Sequence, residues 1–263
     1  MRHLTVTCVQ CPLAWEDPAA NRAALDRLLE GEAGSRRVVL LPEMFTTGFT
    51  MNARPHAEAM DGPSVRWLSA SARRLGAAVA GSLVVREDGR FYNRFVWAEP
   101  DGSLLHYDKR HRFRMAGEHE VYAAGDRLLT VAAGSWRIRC FVCYDLRFPV
   151  WCRNTGPSFD LAVFVANWPA RRAAHWRALL VARAIENQCY VAGVNRVGTD
   201  GNGVAYSGGS MVVDPAGDVL WEAGADTAVH TVTLDMEAVS AWRRDFPAWM
   251  DADADRIRLP ESG

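Results

Sequence analysis

No stretch of this 263-residue chain approaches the roughly 18 uninterrupted apolar residues that a membrane-crossing helix needs, so a membrane partner is not expected. Neither sign of charge is in excess. Thirty basic against 31 acidic residues leave a net charge of -1, without the basic footprint that nucleic acid demands. Six cysteines (Cys8, Cys11, Cys140, Cys143, Cys152, Cys189) are too few for a disulfide framework in a chain this long. The seven histidines are scattered and form no H-E-x-x-H or similar ligand spacing, and no G-x-x-x-x-G-K-[ST] loop occurs. Internal repeats, low-complexity tracts and linker-like segments are also missing, so one domain over residues 1–263 is the expectation.

The chain opens into the strand-like run Leu4 to Gln10 without an apolar signal core, which places the protein in the cytoplasm as an expectation. Two C-x-x-C spacings, Cys8/Cys11 and Cys140/Cys143, invite a zinc or redox reading. Strand alternation would send Cys140 and Cys143 to opposite faces, which disfavours chelation. No metal and no cofactor are expected.

An apolar content of 49% is ample for a large core, and the order of elements is that of a layered α/β protein. Asp17-Pro18 reads as a helix start, with Ala24, Leu25, Leu28 and Leu29 on one face and Gly31 as its end. Val38 to Leu41 is short and wholly apolar, as a central parallel strand should be, and Glu43 is the first polar residue beyond it. A second helix follows Gly62-Pro63, with Val65, Leu68, Ala72 and Leu75 inward. Three strands separated by Asp88-Gly89 and Asp101-Gly102 read as an antiparallel meander. Further strands are expected at Trp136 to Val142, Leu161 to Ala166 and Tyr190 to Asn195, with a helix from about His175 to Asn187. A hairpin around Asp214-Pro215-Ala216-Gly217 then closes the core before a C-terminal tail. Lys109 to Asp126 fits no element, and long irregular loops in compact proteins are usually functional.

Glu43, Lys109 and Cys143 all fall at predicted strand ends, where open α/β sheets bind ligands. Each alone has a bland reading: a helix-start charge, a solvated lysine, a buried thiol. Together they supply what a thiol needs to attack an amide. A carboxylate takes and returns the proton, an ammonium faces the oxyanion, and the N–H of Tyr144 can assist. Lys109 and a helix start after Cys143 are expected to lower the thiol pKa.

Leu40-Leu41-Pro42-Glu43-Met44-Phe45, Tyr107-Asp108-Lys109-Arg110-His111 and Val142-Cys143-Tyr144-Asp145-Leu146-Arg147-Phe148-Pro149 resemble, in order and spacing, the three motifs of the nitrilase superfamily. The resemblance continues through Ala166-Asn167-Trp168-Pro169 and Arg183 to Gln188, and so covers nearly the whole chain. It implies a four-layer αββα sandwich, a homodimer, and a catalytic set of Glu43 as base, Lys109 as oxyanion stabiliser and Cys143 as nucleophile. A second glutamate is implied after the lysine, with Glu118 fitting better than Glu120. The tail Trp242 to Pro247 resembles a segment laid against a partner subunit; a surface charge run is the alternative.

Met44 to Phe49 and Asn167-Trp168-Pro169 further resemble the bacterial omega-amidases, implying a small oxoacid amide such as 2-oxoglutaramate or 2-oxosuccinamate as substrate. Such a substrate needs a fixed cation. Arg110, His111, Arg112 and Arg114, and separately Arg147, are the candidates, although Arg147 could instead pair with Asp145. Phe45, Phe113, Asn167 and Trp168, with Tyr144, are candidate pocket walls. Another short aliphatic amide, an N-carbamoyl compound or a nitrile is the alternative substrate. A thiol redox protein, with Cys140 or Cys152 resolving Cys143, and a noncatalytic interaction protein are the rivals of other classes.

Overall fold

Asp17 accepts a hydrogen bond from Ala20 N at 2.9 Å, and Pro18, which has no N–H to satisfy, begins helix α1 (Pro18–Leu28). The same proline-first logic starts α3 (Pro63–Leu75), whose Val65, Leu68, Ala72 and Leu75 are all buried. The computed structural model describes residues 2–31, 37–253, 256, 257, 259 and 260.

Two six-stranded mixed sheets form the centre. The first contains β1 (His3–Gln10), β2 (Arg37–Leu40), β3 (Ala78–Glu87), β4 (Arg90–Ala98) and β5 (Leu104–Asp108) in chain order, with β14 (Ala228–Asp235) added beside β1. The second runs β6 (Leu129–Ala133), β7 (Trp136–Val142), β8 (Leu161–Ala166), β9 (Tyr190–Asn195), β12 (Met211–Val213) and β13 (Val219–Glu222). Starting from β14 in one sheet and β6 in the other, successive pairings follow the same series: antiparallel, parallel, parallel, antiparallel, antiparallel.

Side chains alternate between two cores. Val38 and Leu40 of β2 join Phe95, Trp97, Ile138 and Val163 between the sheets. Val39 and Leu41 join Leu25, Leu29, Val65 and Leu68 under α1 and α3. On the other sheet lies α5 (Ala173–Asn187), burying Trp176, Leu180 and Ala184. Gly193 of β9 permits that approach, because a Cβ there would stand 2.5 Å from Leu180 Cδ1. The outcome is the expected αββα layering. A short ribbon of β10 (Val197–Thr199) and β11 (Ala205–Ser207), and the single-turn helices α2 (Ala53–His56) and α4 (Glu118–Val121), complete the site wall.

The expected C-terminal tail is instead β14 followed by α6 (Met236–Asp245). β14 pairs with β1 over eight residues, from His3↔Asp235 to Gln10↔Ala228. Its mostly half-exposed side chains lack the clean apolar run that revealed the inner strands. Arg243 does not belong to a solvated charge run. Its guanidinium reaches Asp160 Oδ1 at 2.8 Å, Phe159 O at 2.6 Å and Gln188 O at 2.9 Å, tying α6 to the second sheet.

Candidate active site

Glu43 stands three residues past β2, wholly buried. The next residue, Met44, has φ of 42°, a costly left-handed conformation for a side chain, held by a 2.9 Å bond from Met44 N to Ser82 Oγ. Glu43 Oε1 accepts from Lys109 Nζ and Asn93 Nδ2, both at 2.8 Å, and Oε2 accepts from Asn167 N at 2.8 Å. Asn167, at the end of β8, also gives its side-chain N–H to Glu43 O at 2.6 Å. The ends of the parallel strands β2 and β8, one from each sheet, are thereby locked together.

Lys109 follows β5 directly and is equally buried. Its Nζ lies 2.8 Å from Glu43 Oε1 and 2.9 and 3.0 Å from the two oxygens of Glu118. Burial opposes its charge, but Glu118, Glu43 and Cys143 outweigh that and raise its pKa above the usual lysine value. The structure brings Glu118 to this cluster and leaves Glu120 exposed beside His119. Glu118 also accepts from Phe113 N at 2.5 Å and Asn93 Nδ2 at 3.2 Å. Burial raises its pKa, Lys109 opposes the rise and Glu43 reinforces it.

Cys143 begins a 3-10 turn (Cys143–Arg147) after β7, at φ of 45°. This sharp strand-to-turn elbow presents the thiol to a cavity while Glu43 and Lys109 stay behind it. The thiol donates weakly to Asn167 O at 3.9 Å. Its pKa is not lowered, as the sequence suggested. Burial pushes it well above the ordinary thiol value, Glu43 adds to this, and Lys109 only partly compensates. One turn of helix carries too little dipole to reverse that balance. The thiol stands beside a carboxylate placed to take its proton.

The cavity over Cys143 measures about 150 Å³. Of the predicted walls, Tyr144, Arg147, Phe113, Asn167 and Trp168 line it; Phe45 and Arg114 do not. Phe45 is fully buried against Trp67 at 5.7 Å, in the core under α1 and α3, because the turn after β2 points it there. Arg114 is exposed at the start of a 3-10 turn. Arg110, His111 and Arg112 are also spent elsewhere, on Gly125 O, Asp145 and Tyr122 O. Asp145 is not the partner of Arg147, whose guanidinium stacks 4.6 Å over Trp168 and donates to His175 Nδ1 at 3.1 Å.

Two arginines missed in the sequence, Arg171 and Arg172, complete the cationic wall with Arg147. Arg172 sits 5.1 Å over the Phe113 ring, and burial, then Arg171 and Arg147, lower its pKa. Cations at the start of α5 oppose the helix dipole, a mismatch that was legible in Ala170-Arg171-Arg172-Ala173. Asp200 and Tyr206 form the facing wall; Asp200 already accepts from Tyr206 Oη at 2.8 Å.

A buried carboxylate, a buried ammonium and a thiol at a strained elbow are the parts of a hydrolase that works through a covalent intermediate. The chain belongs to the carbon-nitrogen hydrolase family, whose family model matches residues 5–244. It is 50% identical to omega-amidase YafV of Escherichia coli K12, over 98% of this chain and all of that protein. It is 32% identical to the 2-oxoglutaramate amidase of Bacillus subtilis, over 95% of this chain and 98% of that one. The crystal structure of XC1258 from Xanthomonas campestris, a CN-hydrolase superfamily protein with an arsenic adduct in its active site, matches with a TM-score of 0.94 and 49% identity. It covers 96% of this chain and 98% of that one.

Proposed function

We propose that this protein hydrolyses the omega-amide of a small dicarboxylic oxoacid, 2-oxoglutaramate or 2-oxosuccinamate, to the oxoacid and ammonia. As Cys143 Sγ bonds to the amide carbon, Glu43 takes the thiol proton, and the oxyanion is met by Lys109 Nζ and the Tyr144 N–H. The C–N bond then breaks, the proton on Glu43 passes to the leaving nitrogen, and ammonia departs from a thioester. Water, giving its proton to Glu43, attacks that thioester; the C–S bond breaks and the sulfur regains a proton. Glu118 steadies Lys109 throughout.

The observation that carries the substrate class is the wall of Arg147, Arg171 and Arg172. None of the three makes an ion pair with a carboxylate among the described residues, so the cavity favours a substrate that brings its own anion. The redox alternative has less support: Cys140 and Cys152 are fully buried free thiols, and Cys143 is held neutral. Ammonia release should be fast with 2-oxoglutaramate, slow with a neutral aliphatic amide and absent in Cys143→Ala. Arg172→Ala should raise KM for the anionic amide by roughly tenfold or more and leave the neutral one unchanged, since a charged hydrogen bond contributes about 1.5–3 kcal/mol. Equal turnover of both amides would remove the oxoacid reading; turnover by Cys143→Ala would remove the mechanism.

The same reading places the protein in the cytoplasm, where six free cysteines stay reduced. It also takes the chain to be a homodimer. Trp242 of α6, and Phe246, Trp249 and Met250 just beyond it, are exposed apolar side chains suited to a second copy.

A further inference from the structure

We infer that Asp145 is a positioning residue that sets the distance between the nucleophile and the catalytic lysine. It rests on the amidase reading above, because the reaction requires those two groups to meet one carbonyl carbon and its oxygen. Asp145 lies two residues after Cys143 and is wholly buried. Its Oδ2 accepts from Tyr107 Oη at 2.8 Å and from Val142 N at 3.1 Å. Its Oδ1 accepts from His111 N and His111 Nδ1, each at 2.9 Å. Tyr107 and His111 are the residues two before and two after Lys109. Val142 is the residue before Cys143. One carboxylate therefore grips the backbone or side chain on both sides of the lysine and the strand end that carries the thiol.

No other hydrogen bond described here joins the Cys143 turn to the Lys109 segment so directly, and the grip is buttressed. Tyr107 Oη, while donating to Asp145, accepts from Trp151 Nε1 at 3.0 Å and Arg110 N at 3.1 Å. The His111 ring stacks on Phe148 at 3.7 Å, so its orientation toward Asp145 is set by packing on the same elbow. Because a carboxylate only accepts, it suits four donors; an amide cannot. Asp145→Asn would turn an N–H₂ toward either Val142 N–H or His111 N–H, neither of which can accept, and that side must let go.

The consequence differs from that of a general core defect. Arg171 and Arg172 lie outside the grip, and the Arg147 guanidinium, on the same turn as Asp145, is held separately by Trp168 and His175, so ground-state binding should persist while the approach of Sγ and Nζ to the carbonyl loosens. Misplacement by about 1 Å costs on the order of 100-fold in rate. Asp145→Asn should therefore lose about 100-fold in kcat with KM within about threefold of wild type. Tyr107→Phe should lose a smaller factor. The double variant should be slower than Asp145→Asn by less than the factor that Tyr107→Phe costs alone, because the two groups share one hydrogen bond while the bond from Arg110 N to Tyr107 is lost besides.

The measurement is kcat and KM for each variant, with thermal melting alongside, and the rate of Cys143 alkylation by iodoacetamide, read by mass. Alkylation requires no knowledge of the substrate. It should slow in Asp145→Asn even if 2-oxoglutaramate is not turned over, so failure of the amidase reading is distinguishable from failure of this one. Wild-type kcat and alkylation in Asp145→Asn would overturn the inference. A multiplicative loss in the double variant would overturn it as well. If Asp145→Asn does not fold, Tyr107→Phe decides alone: reduced kcat at unchanged KM supports the grip, and unchanged kcat refutes it.

Discussion

Lys109 holds a positive charge in a fully buried place because two carboxylates surround it, and each would be costly to bury without the other two. On the proposed mechanism, catalysis and stability are joined in this one side chain. Lys109→Met, similar in size but uncharged, leaves Glu43 and Glu118 facing each other. It should cost about 3–5 kcal/mol in urea unfolding, the usual penalty for stripping a partner from a buried charge. Turnover should fall by at least about 100- to 1,000-fold through loss of oxyanion stabilisation. A variant that melts early yet turns over normally when folded would assign Lys109 a structural role alone. At this scale Glu43, Lys109 and Cys143 were legible because each stands at or just past a strand the sequence predicts, in a motif that resembles those of the nitrilase superfamily. Glu118 was preferred to Glu120 through the resemblance, and the structure places Glu118 against Lys109 and leaves Glu120 exposed. The raised thiol pKa of Cys143 was not legible, since it depends on how much water the fold excludes and on how near Glu43 comes.

The loop from Lys109 to Leu128 carries Glu118 inward because the chain makes one very close approach. A Cβ on Gly125 would lie 2.0 Å from Asp108 O, and backbone cannot yield as a side-chain tip can. Gly125 N donates to Lys109 O at 3.1 Å at the same place. Gly125→Ala should lose more than about 3 kcal/mol, or fail to fold, as overpacking against backbone admits no repacking. Near-wild-type melting would show that the loop closes by other means. Strands β7, β8 and β9 coincide with their expected spans, because a strand covered on both faces is mostly apolar and so stands out, even with Arg137 and Arg139 in β7. β14 and α6 did not stand out. One is a partly exposed edge strand and the other is anchored by arginine, so neither carries the apolar signature of the interior.

The two sheets meet in a common core, and each supplies part of the site: Glu43 and Lys109 follow strands of one, Cys143 and Asn167 strands of the other. Anything that separates the sheets separates the reacting groups. Trp242, Phe246, Trp249 and Met250 are exposed apolar side chains among the described residues. Light scattering should report twice the monomer mass, and Trp249→Glu should shift it toward the monomer by placing a charge in the contact. A monomer at micromolar concentration in wild type would count against the homodimer. The amino-acid sequence alone determined the layered α/β class, the inner strands and the types of group at their ends, since apolar runs, capping residues and turn dipeptides act over a few residues. Only the tertiary structure decided the rest. Glu118 on Lys109, three arginines around one cavity, Asp145 between two segments and β14 beside β1 are all juxtapositions of distant segments or consequences of shared burial, and neither is written in local sequence.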